Sequence, residues 1–128
     1  MLGRIPLEDT TVVADLEAGI GTLTRLEESS VDAAVIVVEA TPKSIEVGQR
    51  AAEVAASRKV GRVIVVANRV RSDDDRQTIT DAFPDHEVLA VPDDPAIVDA
   101  DREGVAPLDR DPSSPAISSL ADVARALA

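Results

Sequence analysis

The 128 residues are enough for one domain with a single hydrophobic core and too few for two. With 24 acidic residues against 13 basic ones the net charge is −11, a surface that repels nucleic-acid phosphates and anionic lipid and so argues against direct nucleic-acid binding. Cysteine is absent and His86 is the only histidine, which excludes disulfides, thiol nucleophiles and thiolate metal sites and leaves a zinc site little beyond carboxylates.

One Phe with no Trp or Tyr means that Val, Ala, Ile and Leu must fill the interior, an economy suited to Val/Ile strands under closely packed Ala-rich helices. The stretch "MLGRIPLEDTT" has no apolar run of the signal-peptide kind, and no segment reaches the roughly 18 apolar residues of a membrane span. The expectation is a soluble cytoplasmic protein.

In chain order, the first candidate strand is "TTVVA", Thr10–Ala14, ending on Asp15 and followed by a glycine turn at Gly19. The second is "AAVIVVE", Ala33–Glu39. Thr41 before Pro42 is an N-cap with proline in the first turn, and the recurrence of Val47, Ala51, Val54 and Ala55 predicts a helix to about Ser57 with that face inward. "VGRVIVVAN", Val60–Asn68, is the third strand, and "SDDDRQTITDAF" starts a helix with Ser and Asp caps and first-turn carboxylates that suit the helix dipole, ending before Pro84. "EVLAV", Glu87–Val91, is the fourth strand. After the loop "RDPSSP", Ser114 and Pro115 cap a last helix expected to bury Ile117, Leu120, Val123 and Leu127.

The apolar runs are continuous rather than alternating, as in parallel strands covered on both faces. Strand and helix alternate throughout, which predicts an α/β fold: an open, mostly parallel sheet flanked by helices, in one domain over residues 1–128. Ligands of such sheets sit outside the carboxyl ends of the strands, here Asp15, Glu39, Asn68 and Pro92–Asp94.

Those strand ends resemble, in order, the signatures of the ParA and MinD-like (SIMIBI-class) branch of P-loop ATPases, most closely the CooC-like accessory ATPase that inserts nickel into carbon monoxide dehydrogenase. The matching pieces are Asp15-x-Glu17-Ala18-Gly19 with Arg25 after it, "VVEATPKSIE", Asn68 with Arg69, and "VPDDPAIVDADREGVAP". The resemblance implies a switch II role for Asp15, holding a water on Mg²⁺ near the γ-phosphate of ATP, with the Gly19 backbone close to that phosphate. It implies that Asn68 faces adenine, offering a donor and an acceptor, while the main chain around Pro92, with Asp94, lines the other side of the base.

The glycine-rich G-x-x-x-x-G-K-[ST] loop that cradles the phosphates in such ATPases does not occur in this sequence, nor do the metal-binding cysteines of the nickel-insertion group. In the family the strand bearing that loop lies between the strand ending at Asp15 and the one ending at Glu39. The resemblance therefore implies the carboxyl-terminal half of such an ATPase, from switch II onward, not hydrolytic alone. The alternative is a non-catalytic interaction module derived from the same fold. Both readings imply a protein partner: a second copy, a complementing amino-terminal half or a client.

Structural roles stand beside each of these assignments. Asp15 also serves as a strand stop, Glu17 and Arg25 as a local ion pair, Asn68 as a turn residue and Asp73–Asp75 as a helix start. A phospho-acceptor receiver domain is rejected, because the strand ends lack its clustered aspartates and its lysine.

Overall fold

The structure, a computed structural model, describes residues 10–16 and 31–128. Strands β1 (Ala33–Val38), β2 (Arg62–Val70) and β3 (Glu87–Pro92) form one parallel sheet in the order β1-β2-β3. The helices are α1 (Pro42–Ser57), α2 (Asp73–Ala82), α3 (Pro95–Glu103), α4 (Pro107–Arg110) and α5 (Pro115–Leu127). The expected open α/β sheet is thus present, with three strands.

Four of the five described helices start where the sequence offers an oxygen to unsatisfied N–H groups, and α4 opens on Pro107 without a side-chain cap. Thr41 accepts from the Ser44 amide, Ser72 from Asp75, Asp94 from Ala96 and Ser114 from Ile117, and prolines open α1, α3 and α5. Gly104 ends α3 in the left-handed conformation, φ 68°, that glycine adopts without a Cβ clash.

One face of the sheet is closed by α1 and α2. Ile36, Val38, Val65 and Ala67 point into it and meet Ala52 of α1 together with Ile79 and Phe83 at the α2 end. The stripe that α1 buries is Gly48, Ala52 and Ala55; of the expected Val47, Ala51, Val54 and Ala55, Ala55 is fully buried, Ala51 and Val54 are half-buried and Val47 is exposed. Gly48 sets the rotation: a Cβ there would lie 2.4 Å from Val38 Cγ1, so the bare backbone is what lets the helix sit against β1, and Val47 turns outward.

The other face carries α5 over β2 and β3, with Val66, Val91, Ala116 and Val123 at its centre and Leu89 and Ile97 at its margin. Leu120 and Leu127, expected in the core, are exposed, because the sheet under them has no third wall. Val35 and Val37 of β1 point to this same side and are exposed as well.

The strand expected over Thr10–Ala14 is a correction. Residues 10–16 have no regular structure and all are exposed, Val13 at 89%. Sheet formation needs an edge to pair with, and among the described residues β1 pairs with β2 alone. Helices α3 and α4, within a stretch read from its family pattern alone, are formed by Pro-led turns whose short length gives little periodicity to read.

Candidate functional site at the carboxyl edge of the sheet

Parallel strands with sequential right-handed connections bring the three strand ends to one edge. There the chain places Glu39 after β1, Asn68 to Arg71 at and beyond the end of β2, and Pro92 to Asp94 around the end of β3. The β2–β3 register shifts between Ala67 and Val70, and within this irregularity Arg69 adopts φ 53°. A left-handed arginine is uncommon and requires support from its surroundings.

That support is ionic. The Arg69 guanidinium lies 3.6 Å from Glu39 Oε1 and 3.6 Å from Asp93 Oδ1, so it spans all three strand ends. Arg71 donates from Nε to Asp93 Oδ2 at 3.0 Å, and its own backbone N–H donates to Asp75 Oδ2 at 2.9 Å, fixing the start of α2 against the strand end. The hydrogen bond from Arg71, reinforced by the positive charges of Arg71 and Arg69, holds the Asp93 carboxyl below the usual aspartate range against a smaller desolvation effect.

Asp94 has a different task. Its Oδ1 accepts from the Ala96 amide at 2.9 Å and its Oδ2 from the Ala116 amide at 3.0 Å, so one carboxylate caps α3 and ties down the start of α5. The amides of Ala116 and Ala96, with the Ser114 hydroxyl, lower its pKa. Each oxygen accepts one backbone N–H, which fixes the carboxylate beside Pro92 at the strand end.

Asn68 is half-buried, and its side-chain amide makes no hydrogen bond to any described residue. It keeps a donor and an acceptor in hand beside the strand end. Two shallow depressions flank this region. One of about 430 Å³ is lined by Val70, Arg71, Ser72, Asp73, Arg76, Ala90 and Pro92, and one of about 70 Å³ by Glu39, Thr41, Arg69, Arg71 and Asp75 among others.

Asp15 is exposed in the irregular segment 10–16, and no hydrogen bond or ion pair joins it to Asn68, Pro92 or Asp94. Gly19, like Glu17 and Arg25, lies outside the described residues. The structure gathers Asn68, Pro92 and Asp94 at one edge of the sheet. Among the described residues no group of three or more His, Asp or Glu side chains is arranged to hold a metal ion. Among the described residues the edge offers the half-buried side chain of Asn68 and the main chain at Pro92 beside the Glu39, Arg69, Arg71 and Asp93 charges.

Sequence reasoning singled out Asn68 and Pro92 but missed the charge bridge. Its signal was available in the alternation of sign at successive strand ends: Glu39, then Arg69, then Asp93.

A parallel sheet with flanking helices and charges at its carboxyl end defines the class as an open α/β fold with Rossmann-type layering. Within that class the resemblance is to MinD. The MinD cell division protein of Aquifex aeolicus matches with a TM-score of 0.64 and 26% identity over 77% of this chain and 44% of that one. A MinC:MinD cell division protein complex from Aquifex aeolicus matches with a TM-score of 0.63 and 26% identity over 77% of this chain and 43% of that one. The chain spans less than half the length of these neighbours. No family model matches it, and no curated protein does. Among the described residues no helix is long and apolar enough to cross a membrane.

Proposed function

We propose that this chain is the carboxyl-terminal portion of a MinD, ParA or CooC-like nucleotide-binding ATPase. In this reading it contributes the adenine side of the site through Asn68 and the main chain at Pro92, and switch II through Asp15 and Gly19. ATP and Mg²⁺ are the cofactors of the assembled site, and the chain alone does not hydrolyse ATP. The observation that carries the reading is a MinD-like fold spanning 77% of this chain but 44% of MinD, in a sequence without a Gly-Lys-Ser/Thr loop. The side-chain amide of Asn68, without a hydrogen bond among the described residues at the carboxyl edge of the sheet, supports the base-reading role, and the net charge of −11 opposes unaided triphosphate binding.

Base recognition is tested by nuclear magnetic resonance with adenosine, which lacks phosphates. The expected result is weak, saturable shifts of the Asn68 side-chain amide and of residues flanking Pro92, lost in Asn68→Ala. Shifts scattered over the surface, or none, would remove the nucleotide from the account and leave the interaction-module reading, which the exposed valines of β1 favour.

A further inference from the structure

The carboxyl end of β2 carries one residue more than the strand beside it. Along β2, Val63, Val65 and Ala67 face the core under α1 and α2, and Val66 between them faces α5. Strict alternation would return residue 69 to the α1 side and send residue 70 to the α5 side. Val70 instead packs into the core under α1 and α2, while Arg69 is exposed. The pairing with β3 shows where the extra residue sits: Ala67 lies opposite Ala90 and Val70 opposite Pro92, so Asn68 and Arg69 together face the single residue Val91. This is a β-bulge, and Arg69, with φ 53°, is its left-handed member.

The bulge is held between two fixed points. Ala67 is fully buried before it, and beyond it Val70 is anchored by its core packing and by its carbonyl, which accepts from the Asp93 N–H at 3.0 Å. Asn68 and Arg69 share the gap, and a left-handed residue takes up the surplus length. Glycine suits such a position, because a Cβ opposes the left-handed turn. This chain places an arginine there and holds its guanidinium between Glu39 Oε1 and Asp93 Oδ1, each at 3.6 Å. One exposed pair of that length contributes little. Here the two carboxylates stand on secured positions: Arg71 Nε donates to Asp93 at 3.0 Å, and the Glu39 backbone N–H donates to Ser44 Oγ at 2.9 Å. The bulge, and not the alternation of the strand, then sets the direction in which Asn68 presents its side-chain amide.

We propose that Arg69 is a positioning residue: held left-handed by Glu39 and Asp93, it maintains the bulge that presents the Asn68 amide to a ligand at the carboxyl edge of the sheet. That the ligand is a nucleobase rests on the function proposed above. Arg69 acts through the backbone and not by touching the base.

Three substitutions in the 128-residue chain separate the backbone from the charge. Arg69→Ala removes the bridge and keeps the Cβ, Arg69→Gly removes the bridge but adopts the left-handed conformation unaided, and Glu39→Gln weakens the bridge alone. Two nuclear magnetic resonance measurements read them: exchange of the Asp93 amide proton, whose hydrogen bond to Val70 lies just beyond the bulge, and the shift of the Asn68 side-chain amide at a fixed concentration of adenosine. The expected result is Asp93 exchange about tenfold faster in Arg69→Ala than in the unsubstituted chain and recovered to within about threefold in Arg69→Gly, with the adenosine shift following the same order. Glu39→Gln is expected to speed that exchange in the unsubstituted chain and to change nothing once Arg69 is replaced by Gly. Adenosine shifts lost equally in Arg69→Gly and Arg69→Ala, with Asp93 exchange recovered only in the former, would mean that Arg69 touches the ligand itself and would overturn the inference. Asp93 exchange equal in Arg69→Ala and the unsubstituted chain would overturn it as well. If adenosine moves no Asn68 resonance in the unsubstituted chain, the nucleotide reading falls, and the order of Asp93 exchange alone upholds or overturns Arg69 as the residue that sets the bulge.

Discussion

The two faces of the sheet use the same strands to opposite effect. Along β1, Ile36 and Val38 are sealed beneath α1 and α2, while Val35 and Val37, chemically equivalent and one step away, stand in solvent. The difference lies in what is available to cover each side. A continuous apolar run encodes a strand made to be buried on both faces, and the described residues supply the cover for one and a half of them.

Loss of packing should be felt most on the closed face. Phe83, 2% exposed and the only phenylalanine, fills the space between α2 and Gly48, so Phe83→Ala should cost about 3–5 kcal/mol in chemical denaturation. Gly48→Val drives side-chain atoms into Val38 and should cost about 2–3 kcal/mol. If either substitution is neutral, the tight apposition of α1 and β1 is wrong.

Acid should act at the ligand edge. Asp93 and Asp94 have lower pKa values folded than unfolded, where about 3.9 is usual, so the unfolded chain binds more protons in between. Their contribution is complete above the unfolded value and is lost as pH falls through the folded one. Melting temperature should therefore fall as pH drops below about 4, and Asp94→Asn, which removes one of these titrations, should reduce that slope while lowering stability at neutral pH. A slope unchanged by Asp94→Asn would mean that the double cap does not carry the acid sensitivity.

The smallest effect belongs to the open face. Val37→Thr should change stability by no more than about 0.5 kcal/mol, as expected of an exposed position. A loss comparable to that of Val38→Ala would show that the α5 face is already covered in the free chain and would erase the contrast between the faces.

Much of the architecture was legible in the sequence. Three strands, the two longest helices, the start of α2 and the caps Thr41, Ser72 and Ser114 followed from β-branched runs and side-chain oxygens placed before Pro or Asp, because these are local effects. What depends on a distant partner was not legible. Thr10–Ala14 carries strand chemistry without an edge to pair with, the inward stripe of α1 is set by Gly48 meeting Val38, and Leu120 and Leu127 keep an apolar face with nothing opposite. At the site, Asn68 and Pro92 stood out by their place at strand ends. The commitment of Asp94 to two helix starts, and the Glu39–Arg69–Asp93 bridge, arise from residues far apart in the chain.

The central claim is that this chain supplies the base side of a nucleotide site and lacks the phosphate side. Parallel calorimetric titrations of the 128-residue chain with adenosine and with Mg-ATP test it directly. The account predicts that the triphosphate adds no affinity, that neither ligand binds tighter than about 10 μM, roughly 7 kcal/mol, and that no ATP is turned over. Mg-ATP binding well below that concentration and far tighter than adenosine, with turnover abolished by Asp15→Ala, would contradict it.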